Sequence, residues 1–185
     1  MSRFDGFPGH IERYAGRVRG ADSRETGGRD RGYHLVYCDG HDGSHVTVLT
    51  SGLREHTAGA PLPQELLCTV HAAQELHGKH LTGVIAELLT ESASRVGYGA
   101  LIMNDRALLP ETEIAGALAA PHPYFADEFD VLLDGDGRPV LQLITLLPIT
   151  RGEAQLVSRY GKDVLYDRWE QNGTDLTDVR RRSVG

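Results

Sequence analysis

Lysine is nearly missing from this sequence: Lys79 and Lys162 stand against seventeen arginines among 185 residues. A guanidinium's planar fork suits bidentate recognition of carboxylate or phosphate. Abundant Arg, Ala and Gly with little Lys is also what a GC-rich coding sequence produces, so the imbalance assigns no chemistry. Cysteine is as scarce. Cys38 and Cys68 form no CxxC pair, which excludes a disulfide framework and a paired-thiol motif. No apolar run approaches the roughly 20 residues that cross a bilayer, and the N-terminus alternates Arg, Gly and acids where a secretory leader has an apolar centre. A cytoplasmic protein with no membrane partner is expected. Catalytic signatures are absent too. Ser51-Gly52 follows a strand-like run, but Leu49 stands where a nucleophile elbow needs its first glycine. Gly97 and Gly99 extend to neither a dinucleotide fingerprint nor a phosphate loop.

What is present has a globular composition, 40% hydrophobic and 24% charged, of a length that supports one substantial core. Charge is uneven. Residues 1–32 carry seven arginines against five acids, residues 33–175 nine basic against twenty acidic residues, and the last ten Arg180, Arg181 and Arg182 against Asp178. An acidic body with basic ends follows. Such a body repels phosphate backbones, so nucleic-acid binding through the central fold is disfavoured and a basic protein partner is attracted.

The expected organisation has three parts: an N-terminal helix and flexible Arg/Gly-rich segment over 1–32, a folded domain over 33–175 and a basic tail over 176–185. Ile11, Tyr14 and Val18 have helical spacing, whereas Gly16 to Gly32 has no apolar periodicity and reads as a loop. Tyr33 to Cys38 and His45 to Thr50 read as a hairpin joined by Asp39-Gly40 and Asp42-Gly43, with a third strand over Glu65 to His71. The spacing of Leu81, Val84, Ile85, Leu88, Leu89 and Val96 predicts a helix from Lys79 to Val96, stopped by Gly97, with Thr82, Glu87 and Thr90 facing water. Ala100 to Met103, Phe129 to Leu133 and Val140 to Leu147 read as strands, the last buried on both faces and ended by Pro148. Thr150 and Glu153 match a capping box at the start of a largely helical C-terminal third.

Candidate chemistry is sparse. His71, His77 and His80 are the densest histidine group, and a small metal-dependent hydrolase using them is the competing expectation, but their spacing matches no zinc pattern. His41, His45, Asp39 and Asp42 are explained by turn formation. Cys38 and Cys68 sit in apolar surroundings, where a thiol behaves as a small hydrophobe. No catalytic residue, metal ligand or cofactor site is therefore assigned. The most concentrated acidic group is Asp127, Glu128, Asp130, Asp134 and Asp136. Read as a strand and turn, it places Glu128 and Asp130 on one face, a candidate contact patch for a basic partner.

Three stretches together resemble the suppressor-of-fused-like family, of the stand-alone bacterial type. They are Thr47 to Leu53 (TVLTSGL), Glu65 to Leu67 (ELL) followed by the long helix, and Gln142 to Trp169 (QLITLLPITRGEAQLVSRYGKDVLYDRW). The resemblance runs from about Thr47 to Trp169, and residues 1–32 match poorly. It implies a single α/β domain, a mixed sheet packed by helices, that acts as a protein-binding module without established catalytic activity. The eukaryotic relative restrains a transcription factor, and bacterial forms include immunity proteins that neutralise a toxin delivered between cells. The resemblance thus implies a protein partner, with a basic toxin domain as the closest analogy and a scaffold of unassigned role as the plainer one.

Overall fold

In a computed structural model that describes residues 4–26, 28–56 and 62–185, the chain begins with α1 (Phe7–Ala15), β1 (Arg17–Ala21), β2 (Glu25–Thr26) and β3 (Arg29–Asp30). Next come β4 (His34–Asp39), β5 (His45–Ser51), β6 (Gln64–His71) and α2 (Glu75–Ser92). Then follow β7 (Leu101–Met103), β8 (Ile114–Ala120), β9 (Val131–Leu133), β10 (Pro139–Thr150), α3 (Arg151–Tyr160) and α4 (Lys162–Gln171). The main sheet runs β1-β4-β5-β6-β10-β8-β7, with β9 also paired to β10. It is mixed: β10 runs parallel to β6 and antiparallel to β8 and β9. This is the α/β single domain expected.

Period-two alternation divides the strand residues between two faces. Leu35, Tyr37, Val46, Val48, Leu66, Cys68, Val70, Ile144 and Leu146 meet Leu81, Ile85 and Leu89 of α2. The other face has two separate covers. Phe7, Ile11 and Ala15 of α1 join Phe129 and Leu132 over Leu49, Leu67, Leu141 and Leu143. Leu165 and Trp169 of α4 cover Leu118, Leu147 and Ile149. Between the two covers the sheet presents Thr47, Thr69 and Thr145.

Several expectations need correction. The segment Gly16 to Gly32, read as a loop, contributes β1 to the sheet edge beside β4, in register from Arg17↔Asp39 to Ala21↔Val36, and β2 and β3 form a small hairpin. Main-chain pairing needs no apolar period, which is why the sequence hid it. Residue 27 of that segment lies outside the described residues, as do residues 1–3 of the expected N-terminal part. The long helix spans Glu75–Ser92, not Lys79 to Val96, and ends where Ala93 turns left-handed at φ 46°. Its buried side is Gly78, Leu81, Thr82, Ile85, Ala86 and Leu89, while Val84 and Leu88 are 39% and 51% exposed. The small row Gly78, Thr82 and Ala86 lets the helix lie close on the sheet. A Cβ on Gly78 would come 3.0 Å from Val70.

β10 is the central strand, buried as expected, but it continues through Pro148 to Thr150. Pro148 pairs with Ala117 where β6 no longer flanks β10, so its missing N–H breaks no ladder. The capping box forms as predicted, each group satisfying the other's backbone N–H. Gly161, at φ 90° and ψ 163°, breaks the C-terminal helix into two where continuous helical spacing was expected.

The tail is also bound to the body. The His71 amide donates to the Thr177 carbonyl at 3.1 Å, and Gln74 Oε1 accepts the Val179 amide at 3.0 Å. Val179 is buried beneath α2.

Candidate functional site

Two buried carboxylates lie inside the stretches that carry the family resemblance. Glu65 accepts the Gly52 and Leu53 amides at 2.8 and 3.2 Å, the Thr50 hydroxyl at 2.5 Å and the Arg54 guanidinium at 2.6 Å. Gly52 makes this possible with φ 114°, a conformation that needs no Cβ. The Ser51-Gly52 turn thus wraps a carboxylate. Glu153 accepts from Arg181 at 2.5 and 2.9 Å, from Trp169 Nε1 at 3.0 Å and from the Thr150 amide at 2.9 Å. Desolvation raises its pKa, but the Arg181 bonds and charge, with Thr150 and Trp169, bring the net value below the ordinary one. Both groups face inward and build the scaffold.

The gap between the two covers is a groove of about 560 Å³. Its floor is a chain of hydrogen bonds. The Tyr124 amide donates to His122 Nδ1 at 3.3 Å, which leaves Nε2–H to donate to Thr69 Oγ1 at 3.0 Å. Thr69 in turn meets the Thr47 hydroxyl at 2.8 Å. Burial holds the His122 pKa down at about 3, so the ring is neutral, and it stacks on Phe125 at 3.6 Å. Tyr14, Tyr124 and Phe125 supply aromatic walls. The rim carries Asp42 and Asp175. Ser44, through its amide and then its hydroxyl, lowers the Asp42 pKa. For Asp175 desolvation acts upward, and the Thr177 and His71 bonds outweigh it to leave the pKa lowered.

The acidic segment proposed from sequence adjoins this groove through the Tyr124-Phe125 wall. Residues Asp127–Asp130 form a 3-10 turn, and pairing begins only at Val131, so Glu128 and Asp130 do not share a strand face. Asp130 turns inward. It is 6% exposed and accepts the His122 amide at 2.9 Å. Burial raises its pKa to about 6, against the His122 bond and aided by Asp127. Asp134 caps the turn by accepting the Asp136 and Arg138 amides, both at 2.9 Å. Asp136 lies 3.6 Å from Arg138. Asp127 and Glu128 are exposed, and their side chains have no hydrogen bond or ion pair among the described residues.

His71, His77 and His80 do not meet, although the His71 ring lies 5.3 Å from that of His45. His71 bonds Asp175 at 2.7 Å, His77 points to the Pro110 carbonyl at 3.3 Å, and His80 lines a separate hollow with Arg29 and Arg31. Among the described residues no three His, Cys, Asp or Glu side chains gather as a metal site would need. Cys38 and Cys68 are buried, and burial pushes both thiols up to about 12. No helix among the described residues is long and apolar enough to cross a membrane. Sequence reasoning missed the groove, whose residues are far apart in the chain. Its local signals were the His41-Asp42 and His45 group, read as turn formation, and the aromatic run Tyr124-Phe125 beside His122 and two prolines.

A sequence model of the family Suppressor of fused protein (SUFU) matches residues 29–182. The chain belongs to the SUFU family. The match extends beyond the region of the sequence resemblance, to β3 and the bound tail. The SUFU chain is 27% identical over 144 residues to Immunity protein YqcF of Bacillus subtilis (strain 168), covering 73% of this chain and 72% of that protein. Its fold matches the crystal structure of a SUFU homolog from Neisseria gonorrhoeae FA 1090 with TM-score 0.68 and 16% identity, over 96% of this chain and 93% of that one. A chain of the Sufu-Fu complex crystal structure matches with TM-score 0.65 and 12% identity, over 98% and 92%. Family and relatives support a protein-binding role.

Proposed function

We propose that this SUFU-family chain is a cytoplasmic, non-enzymatic immunity protein that binds and neutralises a cognate toxin. The observation that carries this reading is the pair Asp127 and Glu128, exposed and unpaired on a fixed turn beside exposed Tyr124. An uncompensated acidic edge next to an aromatic anchor is the chemistry of an interface that recruits a basic partner. Similarity to a named immunity protein supports it, as does the acidic balance of residues 33–175. Of the five acids in the proposed patch, Asp130 and Asp134 hold the loop in shape and Asp136 is paired with Arg138, so Asp127 and Glu128 are the ones free to meet a partner. Neither the separated histidines nor the buried thiols supply an activated nucleophile, which favours binding over turnover.

The test is association with a toxin domain, should a neighbouring gene encode one, followed by surface plasmon resonance at several ionic strengths. Steered encounter predicts an association rate that falls steeply with salt and drops about tenfold in the Asp127→Lys/Glu128→Lys variant. A rate indifferent to both would refute the acidic contact. Failure to protect cells that express the toxin would refute the immunity role.

A further inference from the structure

The groove has a chemical character that its neighbouring acidic turn does not explain. Among the described residues no lysine or arginine lines it, while two carboxylates do, and both are held in the ionised form at neutral pH by their own hydrogen bonds. Those bonds leave capacity. Asp42 accepts from Ser44, through its amide at 2.9 Å and its hydroxyl at 2.7 Å, and from its own backbone amide. Asp175 receives Thr177 on one oxygen and His71 on the other. A carboxylate offers about four acceptor sites, so each can accept another donor from outside. The walls add a second attraction, because aromatic faces draw cations. One wall already does so within the chain: the Arg13 guanidinium lies over the Tyr14 ring at 5.4 Å. The buried floor presents neutral groups only, His122 and the Thr47-Thr69 hydroxyl pair, so a cation entering meets no like charge beneath it.

We infer that this groove receives an arginine-bearing segment of the protein partner, the guanidinium at the rim with Asp42 and Asp175 and its stem against Tyr124 and Phe125. Arginine suits the site better than lysine, since its weakly hydrated planar head stacks on aromatic rings while donating in its own plane. The inference rests on the protein-binding reading and not on the partner being a toxin.

The experiment is an amide NMR titration of the full chain with two blocked tripeptides, acetyl-Gly-Arg-Gly-amide and its citrulline counterpart, which keeps the shape and loses the charge. The arginine peptide is expected to give saturable shifts at Gly40, His45, Thr69 and Thr177, and the citrulline peptide to bind at least about fivefold more weakly. Asp42→Asn should weaken the arginine peptide about two- to fivefold, and His41→Glu, also on the exposed rim, should tighten it by a similar factor, the range of partly exposed ion pairs. Opposite responses from two surface variants cannot come from misfolding. Equal binding of both peptides would assign the groove to an aromatic or apolar occupant and overturn the inference. So would the absence of saturable shifts, or shifts confined to Asp127 and Glu128. A chain that captures its cognate protein yet ignores the arginine peptide overturns the groove alone, whereas peptide binding without capture overturns the immunity reading alone.

Discussion

Replacing Arg181 with Met removes the cation from the buried network around Glu153 and leaves the carboxylate behind. Glu153 is 0% exposed and Arg181 9%, and their two contacts measure 2.5 and 2.9 Å. The side chain also donates to the Pro148 carbonyl at 2.9 Å and lies over Trp169 at 5.5 Å. Breaking a buried pair by removing one partner costs about 3–5 kcal/mol, because the remaining charge is uncompensated. For a chain of this size each kcal/mol lowers Tm by about 2–4 °C, so Arg181→Met should melt about 6–20 °C below the parent. Urea unfolding followed through Trp169, the sole tryptophan, reads the change where it occurs. The double variant Glu153→Gln/Arg181→Met should recover more than half the loss, since glutamine keeps the capping box and carries no charge. The sign with pH is fixed too. In the parent the Glu153 pKa is lowered, so its stabilisation is full above the ordinary glutamate range and fades on acidification below it. Without Arg181, desolvation is opposed only by the Thr150 and Trp169 bonds, so that pKa rises above the parent's and acid relieves the variant. The gap between parent and variant must therefore narrow as pH falls from 7 to 4. A loss under about 1 kcal/mol, the range of exposed pairs, or a double variant equal to the sum of its parts, would refute the reasoning.

Two other predictions follow from the remaining buried acids. Asp130, raised to about 6, contributes stability that grows as pH falls through 6, whereas His122, lowered to about 3, contributes stability that is lost as pH falls below the ordinary histidine range. Asp130→Asn keeps the acceptor for the His122 amide and deletes the first contribution, so its urea midpoint should fall more steeply than the parent's between pH 6.5 and 4; parallel profiles would sink this assignment. Glu65→Gln turns an amide donor toward the donors of Thr50, Gly52, Leu53 and Arg54, at about 2–4 kcal/mol. Hydrogen exchange should speed up at the Gly52 to Arg54 amides, and unchanged protection there would show that the turn holds itself.

What the sequence disclosed was local. The β4-β5 hairpin was legible because Asp-Gly pairs dictate a turn between two β-branched runs, and the capping box because Thr150 and Glu153 stand three apart. The rotation of α2 was not, since Val84 and Leu88 are as apolar as Leu81 and Ile85. Close approach to Val70 decides which side turns in, and that approach is a property of Gly78, Thr82 and Ala86 against a strand elsewhere in the chain. β1 lacked any signal because its partner is the backbone of β4. The acidic segment was found as a composition, but one member, Asp130, belongs to the interior, and only the distant His122 amide reveals it.

The same distinction separates scaffold from recognition. The stretches that resemble the family hold Glu65 and Glu153, which tie the turn after β5 and the C-terminal tail to the sheet, and neither lines the groove. Resemblance at those positions reports how the chain folds and constrains its partner weakly. Above its Thr47-Thr69 floor, the groove's rim and walls are drawn instead from the end of α1, the β4-β5 turn, the loop after β8 and the segment after α4. These connections can change side chains without disturbing either carboxylate clamp. If the groove receives the partner as inferred, specificity should belong to rim and wall groups such as His41, Asp42 and Tyr124. Two relatives with the same clamps but different rims should bind different proteins, and exchanging the rim residues between them should exchange their partners.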